Sequence, residues 1–142
     1  MKAPLGFANR DIVSIKDFTR EEIDYILKTS AAVEPLEEKG SDMLRGKVMA
    51  TLFFEPSTRT QFSFQTAMYK LGGHVVGFAE PEISSIKKGE TLADTVRVVE
   101  SYSDVIVLRH PLEGSARFAA EYAEVPIING GSGAEEHPTQ AM

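Results

Sequence analysis

The sequence has no cysteine, and none of its 142 residues belongs to a long apolar run. The absence of cysteine excludes disulfides, thiolate ligands and cysteine nucleophiles. A membrane-spanning helix needs about 20 consecutive apolar residues, and a secretory signal needs about 7–15 of them near the N-terminus. Because the sequence offers neither run, we expect a cytoplasmic protein without a membrane partner.

Positive charge is also scarce. Lysine and arginine number 15 against 21 acidic residues, which gives a net charge of -6 at pH 7. A nucleic-acid surface requires clustered lysine and arginine side chains, so this balance argues against a nucleic-acid partner. An anionic small molecule could still bind, provided that a local cationic pocket overcomes the overall repulsion. The position of the basic residues therefore matters more than their number.

Short apolar segments alternate with amphipathic segments along the chain. Strands are predicted at residues 48–54, 74–79, 104–108 and 125–128. Helices are predicted at residues 19–33, 58–71, 91–102 and 113–123. Strands that alternate with helices form a parallel sheet, joined by right-handed crossovers, between two layers of helices. We therefore predict an α/β fold, a three-layer α/β/α domain with a four-stranded parallel sheet.

Polar and cationic residues follow every predicted strand. In an open parallel sheet, ligands bind outside the carboxyl ends of the strands, so these residues are the candidates for a site. They form the segments E-P-S-T-R-T (55–60), S-S-I-K-K-G-E (84–90), R-H-P (109–111), and N-G-G-S-G (129–133) with H-P-T-Q (137–140). Hydroxyls, amides and cations that converge at one edge predict a site for a small anion.

The first of these segments is the strongest candidate. Ser57, Thr58, Arg59 and Thr60 stand where a helix begins, so unpaired backbone N–H groups and the positive end of the helix dipole face one point. Arg59 adds a planar fork that binds a phosphate through two hydrogen bonds. Taken alone, the segment is explained better by a plain helix cap at Ser57 or Thr58, because hydroxyl residues are frequent at that position; the other strand ends favour the anion site.

Simpler roles also fit the other candidates when each is taken alone. Lys87 and Lys88 fit a solvated pair of charges, and Arg109 fits a surface ion pair with a nearby glutamate. A structural hydrogen bond would account for His137. Residues 129–133 fit a turn. His110 fits a loop position.

Several common sites are absent from the sequence. It contains neither the G-x-x-x-x-G-K-[ST] loop of nucleotide-triphosphate sites nor a G-x-G-x-x-G segment directly after a strand. The three histidines have no metal-ligand spacing with acidic partners, so we expect no metal. No serine stands in an arrangement typical of a catalytic triad.

Motifs over most of the chain resemble one family. F-F-E-P-S-T-R-T (53–60), K-K-G-E-T-L-A-D-T (87–95), V-L-R-H-P (107–111) and H-P-T-Q (137–140) occur in the order found in aspartate carbamoyltransferase catalytic chains. S-T-R-T and H-P-x-Q are shared with ornithine carbamoyltransferases, whereas the 87–95 segment resembles the aspartate branch. The resemblance implies that residues 1–142 form the carbamoyl-phosphate-binding domain, without the C-terminal domain that binds aspartate.

The resemblance also implies roles for individual residues. Ser57, Thr58, Arg59 and Thr60 match the phosphate-binding loop, and Thr60 also lies near the carbonyl oxygen of carbamoyl phosphate. Arg109 and His137 match the groups that polarise this carbonyl. Gln140 matches the acceptor for the carbamoyl amine. Ser84 (or Ser85) and Lys88 match residues that one subunit of a homotrimer donates to its neighbour's site.

In the family, the α-amine of aspartate attacks the carbamoyl carbon and phosphate departs, with no cofactor. The resemblance also allows a regulatory chain as a partner, which the sequence itself does not decide. Two other functions remain open, an ornithine-type carbamoyltransferase domain and a non-catalytic phosphate-binding or trimerisation module.

Some features depart from the family pattern. Gln61 stands where an arginine is frequent, which removes one positive charge near the phosphate loop. Glu135 and Glu136 directly precede His137, and their carboxylates are expected to raise its pKa. The helix that Pro138 opens has hardly begun where the sequence stops, so we expect this chain to be a piece of a longer one.

Overall fold

A computed structural model of the chain describes residues 6–78, 89–134 and 136–142. Its sheet has four parallel strands in the order β2-β1-β3-β4. The strands are β1 (Val48–Phe53), β2 (His74–Phe78), β3 (Val105–His110) and β4 (Ile127–Ser132). The α-helices of the described ranges are α1 (Arg20–Val33), α2 (Leu36–Lys39), α3 (Thr58–Lys70), α4 (Leu92–Glu100), α5 (Ser115–Tyr122) and α6 (Pro138–Ala141), and a 3₁₀-helix (Ile15–Asp17) precedes them.

Helices cover both faces of the sheet, because successive strand residues point to opposite sides. Ala50 and Leu52 of β1 belong to a core cluster with Val96 of α4 and with α5. Met49 and Phe53 belong to a second cluster with Met68 of α3. The three-layer α/β/α architecture and the parallel sheet are therefore confirmed.

Local signals place the helix starts. Thr19 caps α1 through the backbone N–H of Glu22, whose side chain accepts from the Thr19 N–H in return, so the two residues form a capping box. Thr91 caps α4 by accepting from the N–H of Asp94 at 3.2 Å. None of the described helices has the length and apolar content required to cross a bilayer.

The structure corrects the prediction at three places. The chain forms the short helix α2 between the predicted helix at 19–33 and the predicted strand at 48–54. The strand predicted to end at 108 continues to His110, so Arg109 and His110 belong to β3. The interpretation of residues 129–133 as a turn is wrong, because residues 129–132 belong to strand β4. Glycine has a low strand propensity, but pairing with β3 on one side overrides it. On the other side Ile12 exchanges backbone hydrogen bonds with Ile127 and Asn129.

The core packing yields a graded prediction of stability. Ile106 of β3 is fully buried, so Ile106→Ala should lower the free energy of unfolding by about 2–5 kcal/mol and Ile106→Val by about 0.5–1.5 kcal/mol. Urea denaturation measures both. Val98→Ala on the exposed side of α4 is the matched control and should change stability by no more than about 0.5 kcal/mol. Equal effects of the Ile106 and Val98 substitutions would contradict the assigned core.

Candidate anion-binding site

A cavity of about 760 Å³ opens at the carboxyl edge of the sheet. It is lined by Ser57, Arg59, Thr60, Ser63, Phe64, Ala67, Arg109, His137, Thr139 and Gln140. The structure thus brings together six of the residues predicted from separate strand ends: Ser57, Arg59, Thr60, Arg109, His137 and Gln140. Thr58 is exposed and is not among the lining residues. Ser84, Ser85, Lys87 and Lys88 lie outside the described residues.

Four lining residues were missed by the sequence analysis. Ser63, Phe64 and Ala67 lie on α3, three, four and seven positions after Thr60, so they share its face of the helix. Their spacing of three, four and seven residues from Thr60 is the sequence signal that could have predicted them. Thr139 follows His137 by two residues, and only the contact between their side chains identifies it.

The start of α3 leaves its backbone donors available. Ser57 occupies the N-cap position, but its side chain makes no capping hydrogen bond to the described backbone. Instead its hydroxyl donates to the hydroxyl of Thr60 at 3.0 Å. The first intrahelical bond of this turn runs from Gln61 N–H to the Ser57 carbonyl at 3.0 Å. The plain-cap reading of Ser57 is therefore wrong, and the N–H groups before Gln61 can bind an anion.

Arg109 projects from β3 into the same cavity, and two oxygens hold it. Its Nη1 donates to the Gly130 carbonyl at 3.1 Å, and its Nη2 lies 3.3 Å from a carboxylate oxygen of Glu55. Its Nε is buried and has no partner among the described residues. The ion pair with a glutamate is thus present, but it leaves one guanidinium donor free to serve a ligand.

His137 ends the loop that follows β4 and precedes α6. Its Nδ1 lies 3.1 Å from the Thr139 hydroxyl, and its Nε2 is buried without a partner in the described part of the chain. Burial lowers the pKa of His137, and the positive charge of Arg109 lowers that pKa further. The expectation that neighbouring carboxylates raise this pKa is wrong. Glu136 accepts a hydrogen bond from Ser14 at 2.9 Å, and Glu135 lies outside the described residues.

His110 has a structural role. Its Nδ1 accepts from the Leu112 N–H at 3.0 Å and lies 2.9 Å from the Ser115 hydroxyl, so it ties the end of β3 to the start of α5. Its ring also packs against Phe54. These contacts account for His110, and it is not among the lining residues of the cavity.

The arrangement favours a ligand rich in oxygen. A buried polar atom without a partner costs about 1–3 kcal/mol, so a ligand oxygen that pairs with Arg109 Nε or His137 Nε2 relieves this cost. The helix start and Arg59 supply donors for a second, anionic group. In the described ranges no group of three or more histidine, aspartate or glutamate side chains is placed to hold a metal ion. The cavity suits a small anion that also carries a polar group such as a carbonyl.

Comparison with known proteins gives the family. Residues 10–142 match the family described as aspartate/ornithine carbamoyltransferase, carbamoyl-P binding domain. The chain belongs to this family. It is 56% identical to the aspartate carbamoyltransferase catalytic subunit of Thermococcus kodakarensis, with 97% of the chain and 45% of that subunit covered. For the Methanosarcina barkeri subunit the identity is 57%, with 97% and 46% covered.

Solved structures agree with the sequence relatives. An aspartate transcarbamoylase of Trypanosoma cruzi, in complex with carbamoyl phosphate, superimposes with a TM-score of 0.87 at 46% identity. The match covers 94% of this chain and 42% of that one. The catalytic subunit of the M. jannaschii enzyme gives a TM-score of 0.85 at 50% identity, with 92% and 44% covered. This chain therefore spans less than half the length of the curated relatives it matches.

The environment of His137 predicts its titration. NMR should show a His137 pKa below the ordinary value of about 6.5. Arg109→Met should raise this pKa part of the way towards 6.5, because burial remains after the charge is removed. Since the unfolded chain holds the proton more tightly, His137 should reduce stability as the pH falls below about 6.5.

Arg97→Met removes an arginine of α4 that does not line the cavity, and it should leave the His137 titration unchanged. A His137→Gln variant assigns the resonance. A His137 pKa at or above 6.5 in the unsubstituted chain would contradict the described environment.

Proposed function

We propose that residues 1–142 form the carbamoyl-phosphate-binding domain of an aspartate carbamoyltransferase. The whole protein would transfer the carbamoyl group to the α-amine of L-aspartate, giving N-carbamoyl-L-aspartate and phosphate for pyrimidine biosynthesis. One observation carries the proposal: the start of α3, Arg109 and His137 line a single cavity at the carboxyl edge of the sheet. The family match and the named relatives support the choice of ligand.

The phosphate group would bind at the start of α3. The backbone N–H groups of its first turn point along the helix axis, and the helix dipole favours a negative charge there. Arg59 lines the cavity from this turn and adds a bidentate cation. The hydroxyls of Ser57 and Thr60 would provide further donors, whereas a role for Thr58, which does not line the cavity, rests on the resemblance alone. Position and charge are sufficient for this task, since the enzyme forms no covalent bond to phosphate.

The carbamoyl carbonyl would lie between Arg109 and His137. With His137 Nδ1 accepting from the Thr139 hydroxyl, its Nε2 would carry the proton. Nε2 and the Nε of Arg109 would then donate to an oxygen that becomes negative as the amine attacks, and Thr60 lies nearby. The lowered pKa of His137 keeps the ring neutral near pH 7, so it acts by hydrogen bonding. Loss of one such donor typically lowers the rate by about 10²–10³. Gln140 would accept from the carbamoyl amine, and no cofactor is needed.

The remaining parts of the proposal rest on the resemblance. Ser84 (or Ser85) and Lys88 would enter the site of a neighbouring subunit in a homotrimer. A regulatory chain would be a further partner, and the protein would be cytoplasmic. Aspartate would bind to a second domain outside this chain. A non-catalytic phosphate-binding or trimerisation module is the alternative; sedimentation combined with an activity assay of the whole protein separates the two.

An ornithine-type transferase is the weaker choice. The family description includes ornithine enzymes, but the relatives that cover nearly all of this chain are named aspartate carbamoyltransferase catalytic subunits. The K-K-G-E-T-L-A-D-T segment (87–95) also resembles the aspartate branch. Assay of the whole protein with each amino acid decides between them, and transfer to ornithine alone would refute the aspartate assignment.

The first prediction on function concerns Arg59. Arg59→Ala should weaken binding of carbamoyl phosphate and of inorganic phosphate by at least about tenfold, because a charge-assisted hydrogen bond contributes about 1.5–3 kcal/mol. The affinity of Arg59→Lys should lie between those of the unsubstituted chain and of Arg59→Ala, since lysine keeps the charge and loses the planar fork. Calorimetry measures the affinities. Arg97→Ala, an exposed arginine of α4, is the matched control. Unchanged affinity in Arg59→Ala would refute the anion site.

The second prediction concerns catalysis by the chain alone. Residues 1–142 should bind carbamoyl phosphate but produce little or no carbamoyl-aspartate, because on this proposal aspartate binds to residues outside this range. A colorimetric assay for carbamoyl-aspartate, run beside a full-length relative, measures the rate. Robust turnover by the chain of 142 residues would show that aspartate binds within it.

A further inference from the structure

The guanidinium of Arg109 is held by a peptide bond whose other end is also fixed. The carbonyl of the Gly130–Gly131 peptide accepts from Arg109 Nη1 at 3.1 Å. The N–H of the same peptide donates to Oδ1 of Asn129 at 2.9 Å. In a planar trans peptide the C=O and N–H groups point in opposite directions. By holding the N–H, Asn129 therefore directs the carbonyl towards the guanidinium.

Asn129 is itself anchored on the side away from Arg109. Its side chain is 1% exposed, and its Nδ2 donates to the Val13 carbonyl at 2.9 Å and to the Ser132 hydroxyl at 3.1 Å. Asn129 does not line the cavity. The NH₂ group and the oxygen of the Asn129 side-chain amide are therefore both hydrogen-bonded, and these bonds fix the amide in one orientation. An aliphatic side chain of similar size would fill the space but would not orient the peptide.

The close approach of this peptide to Arg109 explains the glycine at position 131. A Cβ added to Gly131 would lie 2.4 Å from Arg109 Nη1 and 3.6 Å from Cδ2 of His137. Gly131 also has φ of +115°, where other residues are strained. The guanidinium therefore lies against the backbone of β4, so a small rotation of the 130–131 peptide would move it.

We propose that Asn129 is a positioning residue for Arg109, acting through the Gly130–Gly131 peptide. It fixes the direction in which the guanidinium presents its free Nε to the cavity. That the ligand oxygen at this point is the carbonyl of carbamoyl phosphate rests on the proposed function; the positioning itself rests only on the contacts above. Asn129 touches neither the cavity nor a ligand, so it is not a catalytic residue.

Binding measurements separate positioning from general stability. Phosphonoacetamide is a stable analogue of carbamoyl phosphate, and inorganic phosphate lacks the carbonyl. Asn129→Ala should weaken analogue binding to the 142-residue chain by about tenfold, because Arg109 loses its orientation, and phosphate binding by less than about threefold. Ser132→Ala is the matched control: it removes a partner of the same buried amide but leaves the bond to Gly131, so both affinities should stay near wild type. An equal loss for both ligands in Asn129→Ala would overturn the proposal.

A double-mutant cycle tests the route through Arg109. If Asn129 acts through Arg109, then Asn129→Ala should cause no further loss of analogue affinity in an Arg109→Ala background. The same fold-loss in both backgrounds would show that Asn129 acts independently, and the proposal would be wrong.

A measurement without ligand tests the positioning role of Asn129 independently of whether the site binds carbamoyl phosphate. The ¹⁵N–¹H signal of Arg109 Nε, assigned by its loss in Arg109→Lys, should shift and exchange faster in Asn129→Ala. Asn129→Leu fills the same space but offers no acceptor to the Gly131 N–H, so it should alter the signal as Asn129→Ala does; a purely space-filling role predicts a signal close to wild type in Asn129→Leu. An unaltered signal in Asn129→Ala refutes the positioning role even if the ligands bind. Absence of analogue binding in the wild-type chain, with the signal behaving as expected, refutes the proposed function alone.

Discussion

The cavity depends on how β4 pairs with β3. Leu108 lies opposite Asn129, but His110 lies opposite Ser132, so β4 contains one more residue than β3 over this stretch. Such a bulge bends the strand and redirects side chains. Here it places the Gly130–Gly131 peptide against Arg109, and the chain then continues to His137. Arg109 and His137 share the carboxyl edge because β3 and β4 are parallel neighbours, and the register shift adds the close contact between the β4 backbone and the guanidinium.

The second constraint is electrostatic. The chain carries a net charge of -6, yet Arg59, Arg109 and the positive end of α3 face one cavity. Glu55 partly balances Arg109, and burial together with Arg109 keeps His137 neutral. The site is thus positive where an anion would bind, although the whole chain repels anions. Local geometry decides this, because charges separated by more than about a Debye length are screened by salt.

The order of strands and helices, and several of their boundaries, could be predicted from the sequence. The run at 48–54 and the capping box at Thr19 are local patterns with few alternative conformations. The carboxyl-edge rule places Ser57, Arg59, Arg109 and His137 in one candidate site from the sequence alone. The strand 129–132 could not be predicted in this way. Its glycines favour a turn locally, and only pairing with β3 and with residue 12 makes it a strand.

By itself, the sequence determined the fold class, the family and most of the residues of the cavity, because these follow from periodicity and from motifs that are contiguous in the chain. The tertiary structure alone decided the direction of the His137 pKa, the freedom of the donors at the start of α3, and the role of Asn129. The pKa and the role of Asn129 depend on burial or on contacts between residues distant in sequence, and the free donors depend on which of two local partners the Ser57 hydroxyl binds. Ser14, for example, belongs to none of the motifs and lies 122 positions from Glu136. Its hydroxyl nevertheless donates to the Glu136 carboxylate, which the sequence had suggested as a neighbour that raises the His137 pKa.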